Sequence, residues 1–342
     1  MNRIKDAICQ TLSDPSGILE NPYTGIAGLI GTFGSFIADQ SGGGYYIPLL
    51  MMLPVFIYGI WNQSRRRAIY THEAIPLPIV INISNPASSE NALNALFHLI
   101  EKTGRYGRHQ ANLAKYCNID ARELVFEYRN DIHNREMLQD FLKITRFNLE
   151  RLKQQTPKNT TIHLAYIGPS SVGVLVGTMF GTDGVKIFQY NKSSDSYYPA
   201  IEVKDRRLKE DITEFEKLER QKTEKSAERV VVAIDVAAHK IRLSDPEIQG
   251  YGDLIHLKSR CEGTIAANED WLQYCREIFK VLNLAQQQGY EEIKLVYSMP
   301  VALAIAVGMA AQNYWPILLT NYDKATNRYR DLMRLNELTY YF

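Results

Sequence analysis

Cysteine is scarce in this 342-residue chain, and the two signs of charge are almost balanced. The four cysteines lie far apart and form no Cys-x-x-Cys pair. This spacing predicts a reduced, cytosolic main domain rather than a secreted domain held together by disulfides. The 39 basic and 38 acidic residues leave a net charge of +1, whereas a protein that binds duplex nucleic acid usually carries a basic excess. We therefore expect no duplex nucleic acid as a partner.

The common catalytic and cofactor-binding motifs are also missing. The sequence has no Gly-x-x-x-x-Gly-Lys-Ser/Thr loop, no Gly-x-Ser-x-Gly elbow, no His-x-x-x-His pair, and no Gly-x-Gly-x-x-Gly that opens a helix after a strand. His239 is a candidate general base, but no nucleophile stands beside it, so a structural or ligand-contacting role is favoured. We predict a protein that is not an enzyme and that holds no cofactor and no metal.

What the chain does contain is an internal repeat. The segment 162–177, IHLAYIGPSSVGVLVG, recurs 131 residues later at 293–308 as IKLVYSMPVALAIAVG. Each copy reads as a buried strand, then a proline, then a short helix of small residues. A repeat of this size indicates a fold built from two similar halves. The identical pairs are Ile162/Ile293, Leu164/Leu295, Tyr166/Tyr297, Pro169/Pro300, Val176/Val307 and Gly177/Gly308.

The repeat extends over strands and helices on both sides. Strands are predicted at 79–83, 124–126 and 185–190 in the first copy, and at 230–234, 254–256 and 316–320 in the second. Helices are predicted near 88–102 and 135–155, and residues 103–121 look like an insertion. Alternating strands and helices favour parallel, doubly wound sheets. The predicted fold class is α/β, with two fused Rossmann-like halves, at about 76–203 and 229–342, related by a pseudo-two-fold axis with a cleft between them.

Two stretches near the N-terminus, 21–38 and 45–61, contain no charged residue. Each is near the lower end of the ~17–25 residues that span a bilayer, and Arg65, Arg66 and Arg67 follow the second. We predict a transmembrane hairpin within residues 1–68, with spans at about 22–38 and 45–61 and both termini in the cytoplasm. The alternative is a buried helical hairpin of a water-soluble domain.

Small residues recur in the first predicted span. Ala27, Gly31 and Ser35 are spaced four apart, a pattern that lets helix backbones approach closely in lipid. Packing between chains and packing within the hairpin explain this pattern equally well. Residues 68–78 are predicted to be a linker punctuated by Pro76 and Pro78, and the charged segment 204–229 is predicted to be an exposed helix or a disordered connector.

A ligand site is expected beyond the carboxyl ends of the predicted parallel strands. Hydroxyls and N–H groups at helix starts can hold phosphate, while tyrosines beyond the last strand of each half can stack bases. The duplicated arrangement suits a ligand with repeated nucleotide units. The candidate residues are Ser84, Asn85, Ser88, Pro169, Ser170, Ser171, Tyr190, Tyr197, Tyr198, Asp235, His239, Lys258, Arg260, Ser298, Met299, Pro300, Asn321, Tyr322 and Arg328.

The two copies of the repeat, together with the segment Phe188–Pro199, resemble the SAVED domain, a family of two fused CARF-like halves. The resemblance covers about 79–338. It implies a sensor of a cyclic oligonucleotide in a bacterial antiphage system of the CBASS type, where a nucleotidyltransferase synthesises the messenger. The ligand that the resemblance implies is a cyclic di- or trinucleotide that contains adenine.

With the predicted hairpin, the resemblance points to the transmembrane type of SAVED effector. It would lie in the bacterial inner membrane, form a homo-oligomer when ligand binds, contact lipids and disrupt the membrane, causing abortive infection. Two alternatives stay open: a ring nuclease that degrades the messenger, and a membrane adaptor that binds a protein partner.

Overall fold

The computed structural model describes residues 46–84, 87–157, 160–181, 183–204, 207–261 and 263–338. The chain divides into two compact units. The smaller comprises Met1–Ile75, Ala111–Asn118 and Gln155–Asn159, and the larger comprises Pro76–Gln110, Ile119–Gln154 and Thr160–Phe342. The predicted span at 22–38 lies outside the described residues.

The described part of the smaller unit is built on one long helix, α1 (Tyr46–His72). The second predicted span, 45–61, falls in its N-terminal half, and the basic cluster at 65–67 continues the same helix. Within the described part of the chain, none of the helices combines the length and apolar character that crossing a bilayer requires. Near the end of α1, the rings of Tyr70 and Tyr116 pack with centroids 6.0 Å apart.

The predicted linker at 68–78 is wrong. Helix α1 continues to His72, and Pro76 and Pro78 belong to the first strand, β1 (Pro76–Asn82). Strand β1 tolerates both prolines because its neighbour on one side pairs only with Val80–Asn82, so no ladder hydrogen bond is lost on that side. The ring Nε2 of His109 lies 2.8 Å from the Pro76 carbonyl oxygen.

The first half of the larger unit is a five-stranded sheet in the order β2-β1-β3-β4-β5. Four strands are parallel and β5 is antiparallel. After β1 its elements are α2 (Ala87–Glu101), α3 (His109–Asn112), β2 (Val125–Glu127), α4 (Arg135–Gln155), β3 (Thr161–Ile167), α5 (Ser170–Thr178), β4 (Val185–Asn191) and β5 (Ser196–Val203).

The second half is a six-stranded sheet whose order, β6-β8-β7-β9-β10-β11, repeats that of the first with one added edge strand. Its β8, β7, β9 and β10 are parallel, and β6 and β11 are antiparallel. Its elements are β6 (Leu218–Lys222), β7 (Arg229–Asp235), β8 (Asp253–Ser259), α6 (Trp271–Gln287), β9 (Glu292–Ser298), α7 (Val301–Ala311), β10 (Ile317–Asp323) and β11 (Arg328–Arg334).

The internal repeat is confirmed by this topology. Strands β3 and β9 begin and end 131 residues apart, and helices α5 and α7 begin 131 residues apart. The prediction of parallel sheets holds for four strands of each half, but each half then ends in an antiparallel hairpin, β4–β5 or β10–β11, that was not predicted. The tyrosines placed beyond the last strand therefore lie in these hairpins.

Two further departures concern the second half. The charged segment 204–229 contains β6, of which only Leu218 is buried; the buried Glu277 carboxylate accepts the Leu218 N–H at 2.8 Å. Between β7 and β8, all residues of 236–252 are described and none is helical, whereas the first half has α2 there. Ile241 and Ile248 of this segment pack with Val231, Ala233, Val296 and Tyr329.

The two halves meet where α5 packs against α7, with backbone directly on backbone. A Cβ added to Gly177 would lie 2.8 Å from the Met309 nitrogen, and one added to Gly308 would lie 2.8 Å from the Val174 carbonyl carbon. The Gly308 Cβ position is also only 3.1 Å from the Gly177 Cα. The last identity of the repeat is thus the pair of glycines that permits this contact.

Replacing Gly177 with alanine is expected to lower the free energy of unfolding by roughly 2–3 kcal/mol, because the new methyl group has no space between the two helices. The matched control is Gly173→Ala, where the Cβ would lie 3.5 Å from the Ala304 Cβ, an ordinary contact. Its unfolding free energy should be unchanged or slightly raised, since alanine favours helix over glycine. Urea denaturation measures both, and equal losses would contradict the close contact.

A buried histidine supports the part of β1 that β2 leaves unpaired. His109 is completely buried between the rings of Phe97 and Tyr106, at centroid distances of 5.9 and 5.7 Å. Burial lowers the pKa of His109 from 6.5 to about 4, although its bond to the Pro76 carbonyl acts in the opposite direction. The imidazole is therefore neutral in the folded protein at pH 7 and donates Nε2–H to that carbonyl.

This burial makes the fold sensitive to acid. Between pH 6.5 and about 4, the unfolded chain binds a proton at this residue that the folded chain does not, so stability falls as the pH falls. At pH 5 we expect His109 to have removed on the order of 2 kcal/mol relative to pH 7. Unfolding of His109→Gln, which keeps a donor, should depend less steeply on pH across this window; an unchanged slope would contradict the assignment.

Candidate functional site

A cavity of about 940 Å³ opens at the carboxyl edge of the first sheet. Both halves contribute to its wall, which includes the ends of β1, β3 and β4, the first turns of α2, and the start of α7. Its lining residues are Ser84, Ser88, Asn91, Ala92, Ala95, Tyr166, Ile167, Gly168, Phe188, Gln189, Tyr190, Lys192, Asp195, Tyr197, Val301 and Lys324.

Two tyrosines of the β4–β5 hairpin form the aromatic part of the wall. Tyr190 and Tyr197 are register partners, with ring centroids 5.2 Å apart. The Tyr190 hydroxyl donates to the Asp195 carboxylate, and this bond raises the pKa of Tyr190. Burial raises the pKa of Tyr197 to about 12. Both phenols are therefore neutral at physiological pH and offer π-faces on which a base can stack.

Two lysines and two polar side chains of the cavity are suited to an anion, while the one acidic side chain of the wall, Asp195, accepts the Tyr190 hydroxyl. Lys192 lies in the β4–β5 hairpin, and Lys324 lies in the β10–β11 turn of the other half. Ser88 and Asn91 lie in the first turns of α2, where the helix dipole and the backbone N–H groups favour negative charge. Together they can hold a phosphate ester next to the tyrosine pair.

The rim at Ser84 is held by a chain of hydrogen bonds that joins three elements. The Asn82 side chain accepts the Ser84 N–H at 3.0 Å and donates to the Ser89 hydroxyl at 2.7 Å. Ser89 in turn donates to Glu127 at 2.7 Å, which lowers the pKa of Glu127. This chain fixes the end of β1 relative to α2 and β2, and so it fixes the cavity rim.

Several candidate residues from the repeat make hydrogen bonds between the halves. The Ser170 hydroxyl donates to the Met299 carbonyl, and the Ser171 hydroxyl donates to the Asn321 side chain, both at 2.9 Å. The Ala302 N–H, in the first turn of α7, is accepted by the Gln189 side chain at 3.1 Å. These polar groups hold the two sheets in one orientation next to the cavity.

The candidates at the carboxyl edge of the second sheet form a separate group. Asp235 is buried, with its carboxylate 3.6 Å from the Lys240 Nζ and 4.0 Å from the His256 Nε2. The His239 ring packs on Tyr322, with centroids 5.3 Å apart, and the Ser298 hydroxyl donates to the His239 carbonyl. This edge is packed by the 236–252 segment described above.

Lys258 and Arg260 lie further away, beside the added strand. Lys258 pairs with Glu219 across β8 and β6, and the Arg260 guanidinium donates to the Phe215 carbonyl at 3.1 Å. Arg328 pairs with Asp323 across the β10–β11 hairpin. These two residues flank the turn that carries Lys324, but neither of them lines the cavity.

The structure therefore brings four candidates together around the cavity: Ser84, Ser88, Tyr190 and Tyr197. Asn85 lies outside the described residues. The remaining candidates do not line the cavity, namely Pro169, Ser170, Ser171, Tyr198, Asp235, His239, Lys258, Arg260, Ser298, Met299, Pro300, Asn321, Tyr322 and Arg328.

Sequence reasoning missed Asn91, Gln189, Lys192, Asp195, Val301 and Lys324. Only the hairpins bring Lys192 and Lys324 to the cavity, and those hairpins were not predicted. Asn91 could have been predicted, because residues 88–91 are polar and lie at the start of a predicted helix.

Two mixed sheets with one strand order, joined through the equivalent helices α5 and α7, define a tandem Rossmann-like, CARF-like fold with a cavity at one edge. A model of the SAVED family, the "SMODS-associated and fused to various effectors sensor domain", matches residues 77–203 and 205–335. The chain belongs to the SAVED family of sensor domains. The two matched segments correspond to the two halves, and the second one includes β6.

A solved structure shares this fold. The chain is similar to the Acinetobacter baumannii Cap4 SAVED/CARF-domain containing receptor with the cyclic trinucleotide 3'3'3'-cAAA, at 13% identity and a TM-score of 0.50, covering 83% of this chain and 56% of that one. For the Moraxella osloensis Cap4 receptor the values are 13%, 0.44, 81% and 54%. The chain thus spans little more than half the length of these receptors. Among curated proteins none matches it.

Proposed function

We propose that this chain is a receptor for a cyclic oligonucleotide, which binds in the cavity at the carboxyl edge of the first sheet. The observation that carries the proposal is the composition of the cavity wall. The neutral tyrosine pair, the start of α2 and two lysines, one from each half, supply stacking surfaces and anion-binding groups around a volume of about 940 Å³. That volume suits a ring of two or three nucleotides.

The choice of ligand class rests on the family and on its relatives. The Acinetobacter receptor of the same fold is described with cyclic triadenylate. An adenine-containing cyclic trinucleotide is therefore the first ligand to test here, followed by cyclic dinucleotides. In this proposal a nucleotidyltransferase of the same antiphage system supplies the messenger, and the chain binds it without turnover.

Ligand binding should depend on Lys324 and not on Lys258. Calorimetric titration of the full chain with cyclic triadenylate is expected to show a dissociation constant raised about tenfold or more by Lys324→Gln, because a charge-assisted contact to phosphate is lost. Lys258→Gln, at the β6–β8 edge, is the matched control and should bind like the wild type. If Lys258→Gln weakened binding and Lys324→Gln did not, the ligand would instead bind at the second sheet.

Stacking can be tested in the same titration. Tyr190→Ala should weaken binding by about 1–3 kcal/mol if a base stacks on the ring, while Tyr314→Ala, an exposed tyrosine outside the cavity, should have no effect. The ligand should be recovered intact after long incubation. A linear product would instead support the ring nuclease, and no binding of any cyclic di- or trinucleotide would contradict the receptor.

The effector step is proposed to take place at the bacterial inner membrane, through the N-terminal segment. Support comes from the charge-free stretches 21–38 and 45–61 and from one side of α1. Leu53, Ile57 and Trp61 are exposed there at intervals of four residues, and the Arg65 guanidinium lies 5.6 Å from the Trp61 ring centroid. An apolar stripe ending in an aromatic and a basic group suits a membrane interface.

In this proposal, ligand binding favours a homo-oligomer that concentrates the N-terminal segments and disrupts the membrane, which gives abortive infection. A ligand shifts that assembly only by its differential affinity for the assembled state. The charged residues 65–67 would face the lipid headgroups on the cytoplasmic side.

The membrane step predicts that Ile57→Glu combined with Trp61→Glu moves the chain from the membrane pellet to the supernatant after cell fractionation. The reason is the high transfer free energy of a carboxylate into an apolar environment. Tyr314→Glu, which alters an exposed tyrosine outside α1, is the control and should leave the distribution unchanged. A wild-type chain found wholly in the supernatant would contradict this step while leaving ligand binding intact.

A further inference from the structure

Helix α4 carries two apolar faces, and only one of them is buried. Its inner face is buried through Leu138, Leu142, Thr145, Leu149 and Leu152. On its outer face Met137, Ile144 and Phe147 are 44%, 60% and 65% exposed. Three large apolar side chains exposed along one line of a single helix mark an interaction surface rather than the scattered apolar residues of an ordinary surface.

The outer face has the spacing of a coiled-coil seam. Its exposed positions follow one another at alternating intervals of three and four residues, which is the a/d pattern of a heptad. The outer row consists of Met137, Asp140, Ile144, Phe147, Arg151 and Gln154. Side chains spaced in this way pack between the side chains of a second helix, so the outer face is suited to a helix rather than to a flat surface.

The charges in the outer row identify that helix. If two copies of α4 pack antiparallel about a two-fold axis between positions 145 and 146, Ile144 meets the partner's Phe147, and Asp140 meets the partner's Arg151. Two ion pairs then flank an apolar centre. A parallel arrangement would instead place Asp140 opposite the partner's Asp140, which is unfavourable. The row is therefore complementary to itself in one direction only.

The helix presents this row in a fixed position. Arg146 is 2.7 Å from Glu150 and 3.3 Å from Asp183, and Lys153 is 2.6 Å from the same Asp183. Arg151 is extended by an ion pair with Glu123 at 2.8 Å while its side chain stays 47% exposed. The contacts of Arg146 and Lys153 fix the helix against Asp183, and the ion pair with Glu123 holds Arg151 extended, so little side-chain entropy is lost at Arg151 when it also meets the partner's Asp140.

We propose that the outer face of α4 is a two-fold interface between two copies of this chain. A helix of 21 residues is about 31 Å long, and one helix pair buries less than the ~1,000 Å² of a stable interface. The dimer is therefore weak and concentration-dependent, and a second contact elsewhere in an assembly would strengthen it. The interface does not depend on the nucleotide cavity, so it can be tested without ligand.

Disulfide cross-linking of the full chain tests both the interface and its direction. Two variants, Asp140→Cys and Arg151→Cys, are made in a background with Cys9→Ser and Cys261→Ser; the other two cysteines are buried. Oxidation of a mixture should give a covalent dimer, since positions 140 and 151 face each other, and one Asp140–Arg151 pair remains. Each variant alone should give no covalent dimer, because equivalent cysteines would be roughly 16 Å apart.

Cross-linking of each variant with itself would overturn the antiparallel pairing, and no cross-linking in the mixture would overturn the interface. A second measurement covers a cysteine variant that fails to fold. Sedimentation of the ligand-free wild-type chain at increasing concentration should show a dimer that Phe147→Glu abolishes and that Tyr314→Glu leaves unchanged. A dimer that is equally strong in the Phe147→Glu variant would assign the association to another surface, such as the N-terminal segment.

Discussion

The larger unit depends on one contact, the meeting of the α5 and α7 backbones at Gly177 and Gly308. Since neither position can hold even a methyl group, the two sheets approach as closely as helix backbones allow. The hydrogen bonds between the halves, in which Ser170 and Ser171 donate and Gln189 accepts, require this separation. Val301 and Lys324 of the second half line the cavity at the edge of the first sheet, and their position depends on the same helix contact. Packing at the pseudo-two-fold axis thus determines the shape of the candidate site.

Much of this architecture could be predicted because burial on both faces leaves a clear trace in the sequence. The strands β3 and β9 are mostly apolar and each is followed two residues later by proline, and α4 was predicted with its observed bounds because its apolar period is regular. The antiparallel strands β5 and β11 were missed because they are half exposed and rich in polar residues. Strand β6 was harder still to predict. It has one buried leucine in a charged segment, so it lacks the alternation of apolar and polar residues that indicates a strand.

The candidate site was harder to predict than the fold. Sequence reasoning applied one rule, that ligands lie beyond the carboxyl ends of parallel strands, equally to both halves. The rule selected Ser84 and Ser88, which line the cavity, but it could not show that Ser171 and Asn321 hydrogen-bond to each other. Nor could it show that the His239 ring packs on Tyr322 at the equivalent edge of the second sheet. Polar residues at a strand end look alike in a sequence, whether they face a ligand or another half of the fold.

The replacement of α2 by the 236–252 segment has a consequence for molecular recognition. The scaffold has near two-fold symmetry, but the cavity wall has none, because one half supplies an open edge and the other mainly a lysine and the start of a helix. A ring of identical nucleotides would meet different chemical surroundings at each unit. If the proposed ligand binds here, its nucleotides are therefore not equivalent to one another in the complex, although the scaffold around them is nearly symmetric.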